Sequence, residues 1–266
     1  MPGDPSAGPS APAGAVLECR GIDKSFGGVH AVRGMSMSVP EQRIVALIGP
    51  NGAGKTTLFN CITGLLARDA GDIYFRGRRV TARGLQQTAA LGIVRTFQNI
   101  RMFPGLTVYE SVMAAQAAHK RASTLESVLG LPRHRREWRA MHERTEEILV
   151  MLGLERHRGV IAQSLPLLAQ RKIEVARALA AEPQVLLLDE PTAGATAAEA
   201  RELMAAMRQL RDGGRTILLI EHNMRLVMNV SDYVYVMHFG SLLASGTPAE
   251  VSMDEKVRHV YLGSRR

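Results

Sequence analysis

The chain has 266 residues, enough for one large domain or two small ones around a sizeable core. Hydrophobic residues make up 46%, ordinary for a globular protein, and no apolar run reaches the roughly 18–20 residues that span a bilayer. The formal net charge of +8 admits nucleic acid, anionic lipid or simple solubility as explanations.

In chain order, residues 1–14 are rich in Pro, Gly, Ala and Ser and lack the apolar stretch of a secretory signal. They are expected to form a disordered tail on a chain that stays in the cytoplasm. Strands are expected at 15–20, 35–39 and 44–48, with Lys24, Ser25, Phe26, Gly27 and Gly28 as a turn between the first two. A helix follows at 57–66, then a strand at 72–75, a turn at Gly77, a short helix at 85–91 and a strand at 93–96. Helical patterning dominates from 108 to 153, broken at Gly130 and Pro132. This stretch carries the basic run Arg133, His134, Arg135, Arg136, interrupted by Glu137 and followed by Trp138 and Arg139. It reads as a solvated helix face or a contact near a membrane surface; nucleic acid is the weakest of its readings, since no aromatic stacking platform accompanies it. The last third alternates helix 170–181, strand 185–189, helix 197–211, strand 216–220 and short strands at 234–237 and 241–244. Apolar strands separated by helices imply a parallel sheet covered on both faces, with the helical stretch 97–164 as an attached lobe. Cys19 and Cys61 are far apart in sequence and are expected to be packed thiols, not a disulfide.

The strongest chemical signal is GPNGAGKT at 49–56, which matches G-x-x-x-x-G-K-[ST] and sits between an apolar strand and a helix. Glycines at 49, 52 and 54 let backbone amides turn onto phosphates, because no Cβ blocks the approach. The helix amino terminus adds partial positive charge at the same place. Lys55 is expected to meet the β- and γ-phosphates and Thr56 to ligate Mg²⁺, with Asn51 and Thr57 completing the cradle. The second signal is the apolar run Val185, Leu186, Leu187, Leu188 ending in Asp189 and Glu190. It puts two carboxylates at the carboxyl end of a buried strand, where ligands of open α/β sheets bind. Asp189 is expected to hold Mg²⁺ and Glu190 to polarise a water against the γ-phosphate.

Three residues are open to two readings each. The Gln98 amide can touch both Mg²⁺ and the attacking water, or cap a strand end. His222 can hydrogen-bond the γ-phosphate, or be a structural histidine after its strand. Phe26 can stack on adenine, or belong to the core.

The order of these pieces resembles the ATP-binding cassette ATPases over nearly all of residues 15–266. The finer likeness is to the ATP-binding subunits of branched-chain amino-acid importers. It rests on the stretches beginning at Phe26, Ala46, Gly92, Phe103 and Leu219, and on Val260, Tyr261, Leu262 and Gly263. The resemblance implies a P-loop NTPase, RecA-like core (15–96 and 165–266) with an antiparallel β subdomain and the helical lobe 97–164. It implies ATP and Mg²⁺ bound, a second cassette closing head to tail, and integral-membrane permease subunits docked around 98–107. A solute-binding protein would act indirectly, the site of action would be the cytoplasmic face of the inner membrane, and no nucleic-acid partner is expected.

The chain departs from the family in the segment each cassette lends to its neighbour. Where the family reads roughly L-S-G-G-Q, this chain has Leu165, Pro166, Leu167, Leu168 and Ala169 before Gln170. Pro166 supplies neither hydroxyl nor amide donor, and Leu168 adds bulk. After Glu190, the residues Ala195, Thr196 and Ala197 replace the usual Leu-Asn/Asp-Pro. The leading expectation is an ATP-hydrolysing subunit of an importer for branched-chain or related amino acids, with a degenerate signature segment that weakens one composite site in a heterodimer and both in a homodimer. The alternatives are an ATP-binding regulatory module with little turnover, and a soluble cassette ATPase acting on nucleic acid or the ribosome.

Overall fold

The computed structural model describes residues 14–80, 84–96, 102–117 and 132–262. Strands β1 (Ala15–Phe26), β2 (Val29–Pro40), β4 (Ala70–Phe75) and β5 (Arg78–Arg79) form an antiparallel sheet in the order β2-β1-β4-β5. The expected turn at 24–28 is shorter than its sequence suggests. Phe26 pairs with Val29, so only Gly27 and Gly28 make the loop. Both have positive φ, as a two-residue hairpin turn demands, and two glycines meet that demand without a Cβ clash.

The second sheet has six strands in the order β10-β9-β3-β8-β7-β6, comprising β3 (Ile44–Ile48), β6 (Ile93–Arg95), β7 (Val185–Asp189), β8 (Thr216–Ile220), β9 (Tyr233–His238) and β10 (Ser241–Gly246). All its pairs are parallel except β10 with β9. Strands β3, β7 and β8 are buried at every position. The side chains of β7 and β8 alternate between two cores. Leu218 and Ile220 join the core shared with the antiparallel sheet, whereas Ile217 and Leu219 pack beneath the helices. Burial on both faces is why these strands read as continuous apolar runs.

The helices are α1 (Lys55–Ile62), α2 (Leu85–Ala90), α3 (Val108–Ala117), α4 (Pro132–Met151), α5 (Leu167–Ala180), α6 (Ala197–Asp212), α7 (Met224–Val230), α8 (Pro248–Met253) and α9 (Glu255–Leu262). Helix α5 starts three residues earlier than the pattern suggests, because Pro166 suits a helix entry, where no amide partner is required. Helices α7 to α9 are too short for periodicity to reveal them, but the entries of α7 and α8 are legible as caps. Asn223 caps α7, and Thr247, Pro248 and Glu250 form a capping box with proline at the first helical turn. Among the described residues no helix is long and apolar enough to cross a membrane. Cys19 and Cys61 are both free and buried, and burial pushes their thiols up to about 12 and about 11. They are packing groups, not nucleophiles.

Candidate active site

Three adjacent parallel strands bring the expected residues to one edge. β8 lies between β3 and β7, with Leu47 opposite Ile220 and Ile220 opposite Asp189. The glycine loop leaves β3 at this edge, Asp189 and Glu190 end β7, and Glu221 and His222 follow β8. Ligands of open α/β sheets bind at such carboxyl ends.

The loop is held so tightly that two of its glycines admit no substitute. A Cβ on Gly49 would run into the Met237 carbonyl oxygen of β9, and one on Gly54 into the Ala31 carbonyl oxygen of β2. Gly52 has a left-handed φ of 80° but faces open space. The loop is further tied to the β9–β10 turn, since the Gly240 amide donates to the Ala53 carbonyl at 3.1 Å. Lys55 opens α1, is only 5% exposed, and donates to the carbonyls of Gly49 (2.8 Å) and Pro50 (3.0 Å). Burial pulls its ammonium below the usual lysine range, while the charges of Glu190 and Asp189 act in the opposite direction. Thr56 is exposed beside it and Thr57 is half-buried, whereas Asn51 and Gly52 lie exposed at the loop tip.

Asp189 is buried and forms an ion pair with Arg95 of β6, Nη2 to Oδ2, at 2.5 Å. Its Oδ1 has no hydrogen-bond partner among the described residues. A buried carboxylate oxygen without a donor suits a cation, so the residues present fit a divalent metal at this edge. Glu190 has a φ of 47°, rare for a non-glycine residue, and its amide donates to the Ile220 carbonyl at 3.0 Å. Strained backbone of this kind costs of order 1–3 kcal/mol and concentrates at functional sites.

His222 is half-exposed, with Nδ1 3.9 Å from the Glu221 carboxylate. Glu221 itself escaped the sequence reading. It is fully buried and accepts from the Thr192 amide (3.0 Å) and hydroxyl (2.5 Å), tying the end of β8 to the loop after Glu190. The signal for it was available: an acid directly after four apolar strand residues, the pattern that marked Asp189. Phe26 stands at the hairpin tip, 49% exposed, so it is not a core aromatic; the Lys24 ammonium lies 5.5 Å from its ring centre. Gln98 lies outside the described residues.

At the divergent segment, Pro166 is the entry residue of α5 and the helix has no side-chain cap. Leu167 is exposed, and its Cδ2 lies where it would press on a Cβ placed at Gly194 of the loop after β7. The Gln170 amide turns back onto the carbonyls of Leu165 (2.8 Å) and Gln163 (3.1 Å). Thr196, by contrast, has a clear local role: it accepts from the Glu199 amide in a capping box that starts α6.

A parallel sheet with a glycine loop after β3 and an acid pair after β7 defines the class: a P-loop nucleoside triphosphatase. Comparison with known proteins narrows it. The family model described as ABC transporter matches residues 32–193, and that of the branched-chain amino acid ATP-binding cassette transporter matches residues 241–266. The chain is 41% identical over 249 residues to the high-affinity branched-chain amino acid transport ATP-binding protein LivG of Salmonella typhimurium, covering 93% of this chain and 98% of that protein. It is 35% identical over 249 residues to the lipopolysaccharide export system ATP-binding protein LptB of Escherichia coli, covering 94% and 98%. Among solved structures it resembles an ABC-transporter ATP-binding cassette in its ADP conformation, with a TM-score of 0.81, 32% identity and coverage of 94% and 99%. The chain therefore belongs to the ATP-binding cassette family of ATPases.

Proposed function

We propose that the chain is the ATP-hydrolysing subunit of a membrane importer for branched-chain or related amino acids. The observation that carries the ATPase half is the electrostatic cluster of Lys55, Asp189 and Glu190 at one sheet edge, beside a glycine loop that admits no Cβ at Gly49 or Gly54. The importer half is supported by the likeness to LivG, greater than that to LptB, and by the C-terminal match at 241–266.

In this reading Gly49, Asn51, Gly52, Gly54, Lys55, Thr56 and Thr57 hold the triphosphate, and Phe26 offers its exposed ring to the base. Thr56 and Asp189, with Gln98, would hold Mg²⁺, which neutralises charge on the phosphates when bound. Glu190 takes up or polarises the proton of the attacking water, and His222 donates to the γ-phosphate. The partners are permease subunits, a second ATPase subunit and, indirectly, a solute-binding protein, and this chain works peripherally at the cytoplasmic face of the inner membrane.

Titration calorimetry with Mg·ATP checks the first half: wild type binds, and Lys55→Ala does not. Equal binding by both proteins would overturn the phosphate-loop assignment. Copurification with permease subunits and leucine uptake by the reconstituted complex check the second. A regulatory module with little turnover is favoured by one observation, the proline entry and exposed Leu167 at α5. Phosphate release by the assembled complex at under a hundredth of the rate of a cassette with an ordinary signature would favour that reading.

A further inference from the structure

Arg95 is the least expected buried charge in the molecule. It ends β6, its side chain is 4% exposed, and its guanidinium spans two elements of the site. Nη2 donates to Asp189 Oδ2 at 2.5 Å and Nη1 to Asn60 Oδ1 of α1 at 2.6 Å, while the cation lies 5.5 Å from the centre of the Phe59 ring. The planar fork of arginine permits this double engagement; the point charge of lysine does not. Asn60 sits one helical turn beyond Thr56 on α1, so the bridge runs from the helix that carries one proposed metal ligand to the strand that ends in the other.

The geometry points to Arg95 as a positioning residue for the metal site: it occupies Oδ2 of Asp189, fixes that carboxylate against α1, and leaves Oδ1 as the single oxygen presented to the cation. This inference rests on the reading of Asp189 as a metal-holding residue. A carboxylate with both oxygens unpaired in a buried site has several orientations open to it; a clamped one has a single orientation already set before the metal arrives. Outer partners of metal ligands work this way, and their removal typically lowers metal affinity about 10–100-fold. The opposite electrostatic argument is also definite. If Arg95 acted only as a nearby positive charge, its removal would tighten binding of a divalent cation. The sign of the change therefore separates positioning from charge.

The experiment is Mn²⁺ binding to the full chain in the presence of a non-hydrolysable ATP analogue, followed by electron paramagnetic resonance, beside nucleotide binding in EDTA. Arg95→Met is expected to weaken Mn²⁺ binding at least about 10-fold while metal-free nucleotide binding stays within about twofold. Arg95→Lys keeps the charge but loses the fork, and is expected to recover only part of the affinity. Unchanged or tighter Mn²⁺ binding in Arg95→Met, or full recovery in Arg95→Lys, would overturn the inference. Should Arg95→Met fail to fold, Asn60→Ala decides: it leaves the ion pair but frees its far end, and a loss of several-fold is expected, with no loss counting against the proposal. Asp189→Asn separates the two levels. If it leaves Mn²⁺ binding intact, the reading of Asp189 fails; if it abolishes binding while Arg95→Met does not weaken it, only the positioning role of Arg95 fails.

Discussion

Single residues in this site are constrained for different physical reasons, and substitutions should sort accordingly. Gly54→Ala forces a Cβ into the Ala31 carbonyl and also strains a φ of 98°, whereas Gly52→Ala meets only the strain. Gly54→Ala is expected to abolish Mg·ATP binding in calorimetry, and Gly52→Ala to cost stability of about 1–3 kcal/mol with weaker effects on affinity. Glu221 is a test of burial. Replacing it with Ala leaves the Thr192 amide and hydroxyl without their acceptor, at a cost of about 1–3 kcal/mol for a buried unsatisfied group. The urea midpoint should fall, and turnover with it, because the same bond holds the loop that follows Glu190. A Glu221→Ala protein with wild-type midpoint would show that Thr192 finds another partner.

At the scale of elements, the caps make the clearest statement. Thr196 starts α6 and Thr247 starts α8, each in a reciprocal box with a glutamate three residues on. Thr196→Ala and Thr247→Ala should each lower stability by about 1 kcal/mol in denaturant titrations. The sign of the pH effect follows from the glutamates. Amide donation from Thr196 and Thr247 holds the carboxyls of Glu199 and Glu250 below their ordinary values. Their contribution is therefore complete above the usual carboxylate range and fades as pH falls through the lowered values. Alanine keeps the backbone amide and removes only the smaller share of the threonine hydroxyl, so in the Thr→Ala variants this acid-side loss should shrink only in part.

The whole molecule raises the question of symmetry. The phosphate-loop side carries Lys55, Asp189 and Glu190 in mutual electrostatic reach, while the segment at Leu165–Ala169 has Pro166 where an amide and hydroxyl would serve a neighbouring subunit. In a heterodimer, the site on this chain's phosphate loop would meet an ordinary signature and turn over, and the site on the partner's loop would face the divergent segment. Glu190→Gln in this chain should then remove most phosphate release, since losing such a group costs on the order of 10²-fold or more, and the equivalent change in the partner should remove little. Equal losses would mean that the backbone amides from Leu167 onward suffice. In a homodimer both sites would be weakened alike.

The local chemistry was written plainly in the chain. A glycine loop between an apolar strand and a helix, and an acid pair closing a run of four apolar residues, need only neighbouring residues to be read, because strand burial on both faces and glycine backbone freedom are local requirements. The same locality carried the strands β3, β7 and β8 and the fold class. What sequence could not supply was contact between residues far apart along the chain: Arg95 on Asp189 and Asn60, Glu221 on Thr192, the Gly49 and Gly54 backbones against Met237 and Ala31. Short helices such as α7 were hidden because seven residues are too few to display a period, so their place is set by packing and caps. Tertiary structure alone decided these, since a buried charge is tolerated only where folding brings it a partner, and the identity of that partner is a property of the packed sheet edge.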